Sequence, residues 1–373
     1  MLNKETRAAG PRIDNGASGR RVWLALLLAL LIALATACGS GNGTGNGGQQ
    51  SDPSVSIEPV DVEPIAEPEP EPVVVGYRAP LTGMPMEEES VQRPIAVMVN
   101  NFAAARPQSG LSGADVIWEV LAEGGITRLV AIYQSQSFPE AIGPIRSIRP
   151  YLIELGESYQ GVLAHAGGSP DAYAILQRQK KPYLDEISNA GGSFWRESFR
   201  KAPHNLYSNL EKLREGAEKR GYKSDVIIPV MRFLEGDELV PGESATEIDI
   251  RFLLEKYKVS YSYDAATGRY LRSINDSPHI DMNNDEQLSA SNLVVLGTAH
   301  RTLDNEGRLA VDLASGGPAV LFRQGKVVEA EWERRDGDVI RIMKNGSELP
   351  FAPGKTIYHI VPMKPTFAEH LTY

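Results

Sequence analysis

Hydrophobic and polar positions along the chain form two textures that change near Ile228. Before that point, short apolar runs alternate with segments of helical period. "RPIAVMVNN" (Arg93–Asn101), "ADVIWEVL" (Ala114–Leu121) and "ITRLVAIYQS" (Ile126–Ser135) are apolar and rich in β-branched residues, which predicts buried strands. The last two should form a hairpin across Glu123-Gly124-Gly125. "YLIELGESY" predicts a helix with Pro150 in its first turn, where the absent N–H leaves no bond unmade. "GVLAHAGG" (Gly161–Gly168) predicts a short buried strand. "SPDAYAILQRQ" predicts a helix capped by Ser169, with Pro170 as its first residue. "LYSNLEKLREGAEKRGY" has the clearest amphipathic period and predicts a helix from Tyr207 that stops at Gly221.

After Ile228 the period shortens to two. "ATEIDIRF" predicts a first strand, and "YKVSYSYDAATGRYLRSI" a hairpin turning at Ala265–Gly268. "NLVVLGTAH", "RLAVDLAS", "GPAVLFRQGKVVEAEWER", "DVIRIMKNGSELPF" and "GKTIYHIVP" continue the pattern, with turns at Gln324-Gly325 and Asn345-Gly346. Trp332, Tyr261, Tyr263 and Tyr270 are expected to pack these hairpins. The expected fold is thus an α/β N-terminal domain over residues 77–227, a mixed sheet with helices. A mostly β C-terminal domain, a small barrel or sandwich, should follow over residues 228–373.

The first 76 residues do not share this patterning. Residues 1–21 carry five basic side chains, and Val22 to Ala35 is a run of fourteen uncharged, mostly apolar residues. Small residues then lead to Cys38. This is the layout of a secretory signal over residues 1–37, and the apolar run falls short of the roughly 20 residues a spanning helix needs. Cys38 is the single cysteine of the chain, so no internal disulfide is open to it. Ala35-Thr36-Ala37 before it is similar to the lipobox of bacterial lipoproteins, in which the cysteine is diacylated. Ala35 stands where leucine is usual, with Leu34 one step further back. Cys38 is therefore the expected lipidation site, and two acyl chains would anchor the protein stably. The expected address is the extracytoplasmic face of the bacterial cell membrane. Residues 38–76 read as a linker, first glycine-rich and then proline-punctuated with seven acids and no base. As a random coil it would reach on the order of 35 Å.

Without residues 1–37 the chain has 33 basic against 46 acidic side chains, a net charge of −13, of which −7 lies in the linker. A folded part near −6, without a basic stripe, excludes nucleic acid as an expected partner. Anionic polymers can then be held only by a local cationic pocket. "RPIAVMVNN", "GADVIWEVLAEGGITRLVAIY", "IGPIRSIRPY", "HAGGSPDAY", "RKAPHNLY" and "GGPAVLFRQGKVVEAEWER" together resemble the YerB-like bacterial lipoprotein family, over about residues 80–365. The resemblance implies the lipoprotein address, a mixed N-terminal domain and a separate C-terminal one. It implies no activity.

Candidate chemistry gathers in the first half. Arg146 and Arg149 stand in the connector entering the Pro150 helix, where unpartnered N–H groups and the helix dipole favour an anion. The competing expectation is an internal acid, Glu119, Glu123 or Glu154, as their partner. Arg128 lies on the preceding strand. His165 ends a strand just before Gly167-Gly168 and Ser169, the position beyond the carboxyl end where ligands collect in α/β sheets. Arg200, His204 and Asn205 follow in a Pro203-broken loop, either as a binding rim or as the cap of the next helix. No phosphate loop, nucleophile elbow or histidine pair at metal-ligand spacing is present, so no catalytic residue, cofactor or metal is assigned. "DMNNDEQ", with Asp281, Asn283 and Asp285, departs from a calcium loop at Glu286 and Asn292 and reads as a solvated turn.

These readings lead to a binding or adaptor module of the cell envelope. Arg128, Arg146, Arg149, His165, Ser169, Arg200, His204 and Asn205 would line a cleft for an anionic or sugar-containing wall polymer. An envelope protein is the other expected partner. The alternative is an envelope hydrolase or transferase in which His204 or His165, helped by Glu119 or Asp171, moves a proton.

Overall fold

A computed structural model of the chain describes residues 76–373 other than 237 and 254. The expected signal, Cys38 and the linker before Gly76 lie outside the described residues.

Strands β1 (Ile95–Asn100), β2 (Val116–Leu121) and β3 (Thr127–Tyr133) form where the apolar runs predict them, with every residue buried. Their lack of alternation has a simple cause: both faces of this sheet are covered. Helix α1 (Pro150–Glu157), strand β4 (Val162–His165), helix α2 (Pro170–Arg178) and strand β5 (Tyr183–Asp185) follow. Ser169 caps α2 by accepting the Ala172 N–H at 3.3 Å. Helix α3 (Leu210–Lys219) starts three residues later than its pattern suggests. Asn209 is its cap, accepting from Lys212 N at 2.9 Å, and the buried pair Leu206–Tyr207 instead forms a short strand against Trp195–Arg196. His204 and Asn205 therefore do not cap this helix, which corrects that half of the expectation.

The second half supplies β6 (Glu247–Arg251), β7 (Lys258–Asp264), β8 (Arg269–Ile274), β9 (Asn292–Thr298), β10 (Gly317–Arg323), β11 (Lys326–Glu333), β12 (Arg341–Lys344) and β13 (Thr356–Pro362). The Asn345-Gly346 turn takes positive φ at both residues (51° and 76°), as a tight hairpin requires. "RLAVDLAS" yields only Leu309–Val311, which pairs with His300–Thr302 in a separate ribbon.

One large sheet runs through both halves in the order β12-β11-β10-β9-β13-β2-β3-β1-β4-β5, edged by Ser347–Glu348. Between β9 and β2 lies β13, parallel to both. A six-stranded sheet built on β8-β7-β6 packs across the second half. Ile248, Ile250, Val259, Tyr261 and Tyr270 from it join Leu293, Val295, Val320, Phe322 and Ile357 in one core cluster. Of the two expected closures the sandwich forms, and one of its sheets continues into the first half. Alternate residues point the other way: Met98, Trp118, Val130, Val294 and Tyr358 pack with Tyr151, Leu152 and Leu176 of α1 and α2. Trp118 stacks on Tyr358 at 3.9 Å.

A buried polar network joins the two sheets. Glu119 on β2 and His359 on β13 are register neighbours, both inaccessible to solvent. Oε2 of Glu119 accepts from Arg272 Nη2 at 2.7 Å and lies 3.1 Å from His359 Nδ1. Its Oε1 accepts from Asn101 Nδ2, Thr127 Oγ1 and the Tyr257 hydroxyl. Arg272 also donates to Tyr261 and to His279 Nδ1, and His279 Nε2 donates to Gln108 Oε1 at 2.7 Å. Burial opposes ionisation of Glu119, yet Arg272 and His359 hold its carboxyl well below the usual range. Asp281 is likewise buried, accepting from Gly110 N, Ser112 N and Asn283 N. The "DMNNDEQ" loop is thus a clasp on the first half, not a solvated turn, at its leading residue.

Candidate functional site

The parallel strands β1, β4 and β5 end together at Asn100, His165 and Asp185, and the cleft lies beyond those ends. It holds about 390 Å³. Arg146, Ser147, Gly167, Gly168, Tyr173, Glu186, Ile187, Arg196 and Pro203 line it. Gly167 adopts φ +73°, and a Cβ there would stand 3.1 Å from Ile187. That glycine keeps the turn after β4 tight and the floor open.

Two guanidinium groups meet on one carboxylate at the β2–β3 turn. Arg149 pairs with Glu123, and Arg128 approaches the same acid at 4.0 Å while donating to Ser147 O at 2.7 Å. Of the internal acids weighed above, Glu123 is the one that answers Arg149. Glu154 pairs with Arg334 instead, and Glu119 with Arg272. Arg146 is different. It is half-buried, its Nε has no partner, and among the described residues no acceptor takes a hydrogen bond from its guanidinium. Burial, then the neighbouring Arg149, pulls its pKa down. Burial and the same cations lower Arg128 to about 10. Glu123 opposes the shift at Arg146 only from a distance, so the site contains a partly desolvated cation with no hydrogen-bonded or ion-paired partner among the described residues.

The other expected residues are placed as follows. His165 is sealed inside, its Nδ1–H donating to Gly167 O at 2.9 Å, with Asp185 3.5 Å away. Asp185 accepts from Gly167 N, Tyr173 OH and Ser188 Oγ, so it braces the cleft floor. Ser169 Oγ is occupied as the α2 cap and is 5% exposed. Arg200 grips the backbone carbonyls of Ala105 and Pro107. His204 Nδ1 accepts from Asn100 Nδ2 at 2.8 Å, which leaves the ring proton on Nε2, and the ring stacks on Phe102 at 5.3 Å. Burial, Arg146 and Arg200 together lower its pKa. Asn205 accepts from Arg196 at 3.1 Å, and Arg196 also holds Glu186 at 3.1 Å. Arg146 and Arg196 therefore share the cleft, with His204 and Asn205 beside it. His165, Ser169 and Arg128 stand behind its wall and floor.

Sequence reasoning missed Tyr173, Glu186, Ser147, Asn100 and Phe102. Asn100 and Phe102 flank the end of an apolar strand, the usual place for ligand-facing groups, and that signal was there to be used. Glu186 and Tyr173 carry no local signal.

The fold defines a two-part protein built on one continuous mixed sheet, with a cluster of arginines beyond its parallel strand ends. The comparisons give its kinship. Residues 81–223 match the family described as "Protein of unknown function (DUF3048) N-terminal domain", and residues 248–357 match its C-terminal domain. The chain is 38% identical over 287 residues to "Putative lipoprotein YerB" of Bacillus subtilis (strain 168), covering 76% of this chain and 86% of that one. The crystal structure of the YerB protein from Bacillus subtilis matches with a TM-score of 0.72 at 36% identity, over 79% of this chain and 98% of that one. The chain belongs to this family of bacterial lipoproteins.

Proposed function

We propose that the protein is an envelope binding or adaptor module, anchored through Cys38 to the outer face of the cell membrane. Its Arg146 cleft captures an anionic or sugar-containing component of the wall. One observation supports this reading most: Arg146 is a half-buried guanidinium that the described residues leave without a hydrogen-bonded or ion-paired partner, at the carboxyl ends of parallel strands. Charge-assisted hydrogen bonds from such a group to an oxyanion are among the stronger polar contacts, and the anion restores what burial removed. Lipidation would keep the cleft near the polymer that it binds. The alternative, a hydrolase or transferase, gains less support, because His204 rests on the Asn100 amide and not on an acid, while His165, which has Asp185 3.5 Å away, is sealed from solvent.

The test is co-sedimentation of the mature protein with purified cell wall. Arg146→Ala should abolish pelleting while circular dichroism stays unchanged. Arg149→Ala, which removes the partner of Glu123, should weaken binding less. Equal pelleting by parent and Arg146→Ala would end the proposal.

A further inference from the structure

We infer that the occupant of the cleft is a sugar ring bearing an anionic group, an inference that rests on the reading above. Three observations converge on it. The charged side chains lining the cleft are Arg146, Arg196 and Glu186, and Arg196 is already held by Glu186. That leaves Arg146 as the unpaired cation of the lining, with the Arg128–Glu123–Arg149 group adding a further net positive charge beside it, so the occupant must bring an anionic group.

The rest of the lining is polar in the way that hydroxyl groups require. Ser147 Oγ makes no hydrogen bond among the described residues and lies near where a Gly167 Cβ would stand. Tyr173 spends its proton on Asp185 Oδ2 at 2.8 Å, so its oxygen presents lone pairs as acceptors. Glu186 is a further acceptor. An inorganic anion would leave these groups without partners.

A flat aromatic surface adjoins this lining. Pro203 lines the cleft, His204 follows it in the chain, and Phe102, a residue 41% exposed, stacks on His204 with the two rings 17° from parallel. Asn100 fixes both members: its side chain holds His204 Nδ1 and accepts the Phe102 N–H at 3.0 Å. An exposed aromatic ring held in place from behind is a platform for the apolar face of a pyranose. The volume of about 390 Å³ is near the lower end of small-molecule sites and suits one or two sugar units.

The experiment is an NMR titration of the mature protein with five probes. Methyl glucuronoside and a methyl phosphodiester of glucose carry sugar and charge together. Methyl glucoside, acetate and dimethyl phosphate carry one of the two. Both conjugates, or one of them, should bind roughly tenfold or more tighter than either of its own fragments, and which conjugate wins identifies carboxylate or phosphodiester as the source. Arg146→Ala should weaken the winning conjugate by roughly ten- to a hundredfold, the range of a lost charge-assisted bond. Phe102→Ala should weaken it several-fold, the range of a lost stacking contact. Acetate or dimethyl phosphate binding as tightly as its conjugate would overturn the sugar inference and leave the anion cleft standing. Absence of binding by all five, with wall co-sedimentation intact, would overturn it too. Loss of co-sedimentation dependence on Arg146 would instead overturn the underlying reading.

Discussion

His165 is wholly enclosed, and burial lowers its pKa to about 4 despite the opposing pull of Asp185. Unfolded, it would titrate near the ordinary value of about 6.5. Between these values the unfolded chain takes up a proton that the folded one refuses. Stability is therefore lost as pH falls from about 6.5 towards about 4, by about 3 kcal/mol in total. Asp185 adds its own loss only lower, as pH falls through a carboxyl pKa already below the usual range. Unfolding free energies from urea titrations at pH 7 and pH 4 should differ by that much more in the parent than in His165→Gln, and parallel pH profiles would contradict the assignment. His165 stood out in the sequence as a ligand candidate, but side-chain enclosure depends on Tyr183 and Tyr173 packing against the ring, which spacing does not reveal. The arginines were more legible. Position in a helix-entry connector marked Arg146 and Arg149 for an anion, and the structure gives Glu123 to one of them and leaves the other open.

At the scale of elements, strands β1 to β3 and the hairpins of the second half were readable because apolar runs and turn residues are local signals. The start of α3 was not. Leu206 and Tyr207 fit a helical period and a buried strand equally well, and tertiary burial with the Asn209 cap settled the matter. Nor could pattern reading place Arg272 of β8 beneath Glu119 of β2, since alternation assigns faces without naming what faces them. This pair ties the outer sheet to the large one. Arg272→Met should destabilise the protein by roughly 3–5 kcal/mol, because it strands a buried carboxylate. Adding Glu119→Gln should recover part of that loss. A double-mutant cycle in denaturant, with additive effects as the adverse result, would check it.

For the whole molecule, the two family regions lie at 81–223 and 248–357. What no local signal conveys is that they share a sheet through β2 and β13, which are far apart in sequence. A chain ended at residue 240 leaves β2 with a bare edge and Trp118 without Tyr358. An exposed apolar strand edge invites association. Size-exclusion chromatography of that fragment should show aggregate in place of a monomer, and a well-folded monomer would refute the coupling.

The position of β13 also sets an order of events. The strand at the centre of the sheet comes from residues 356–362 and is made long after its neighbour at 116–121. Completion of the first half must wait for this late strand, as an arch waits for its keystone. A premature stop just short of Thr356 would therefore spare every arginine in the cleft and still deprive the molecule of its middle.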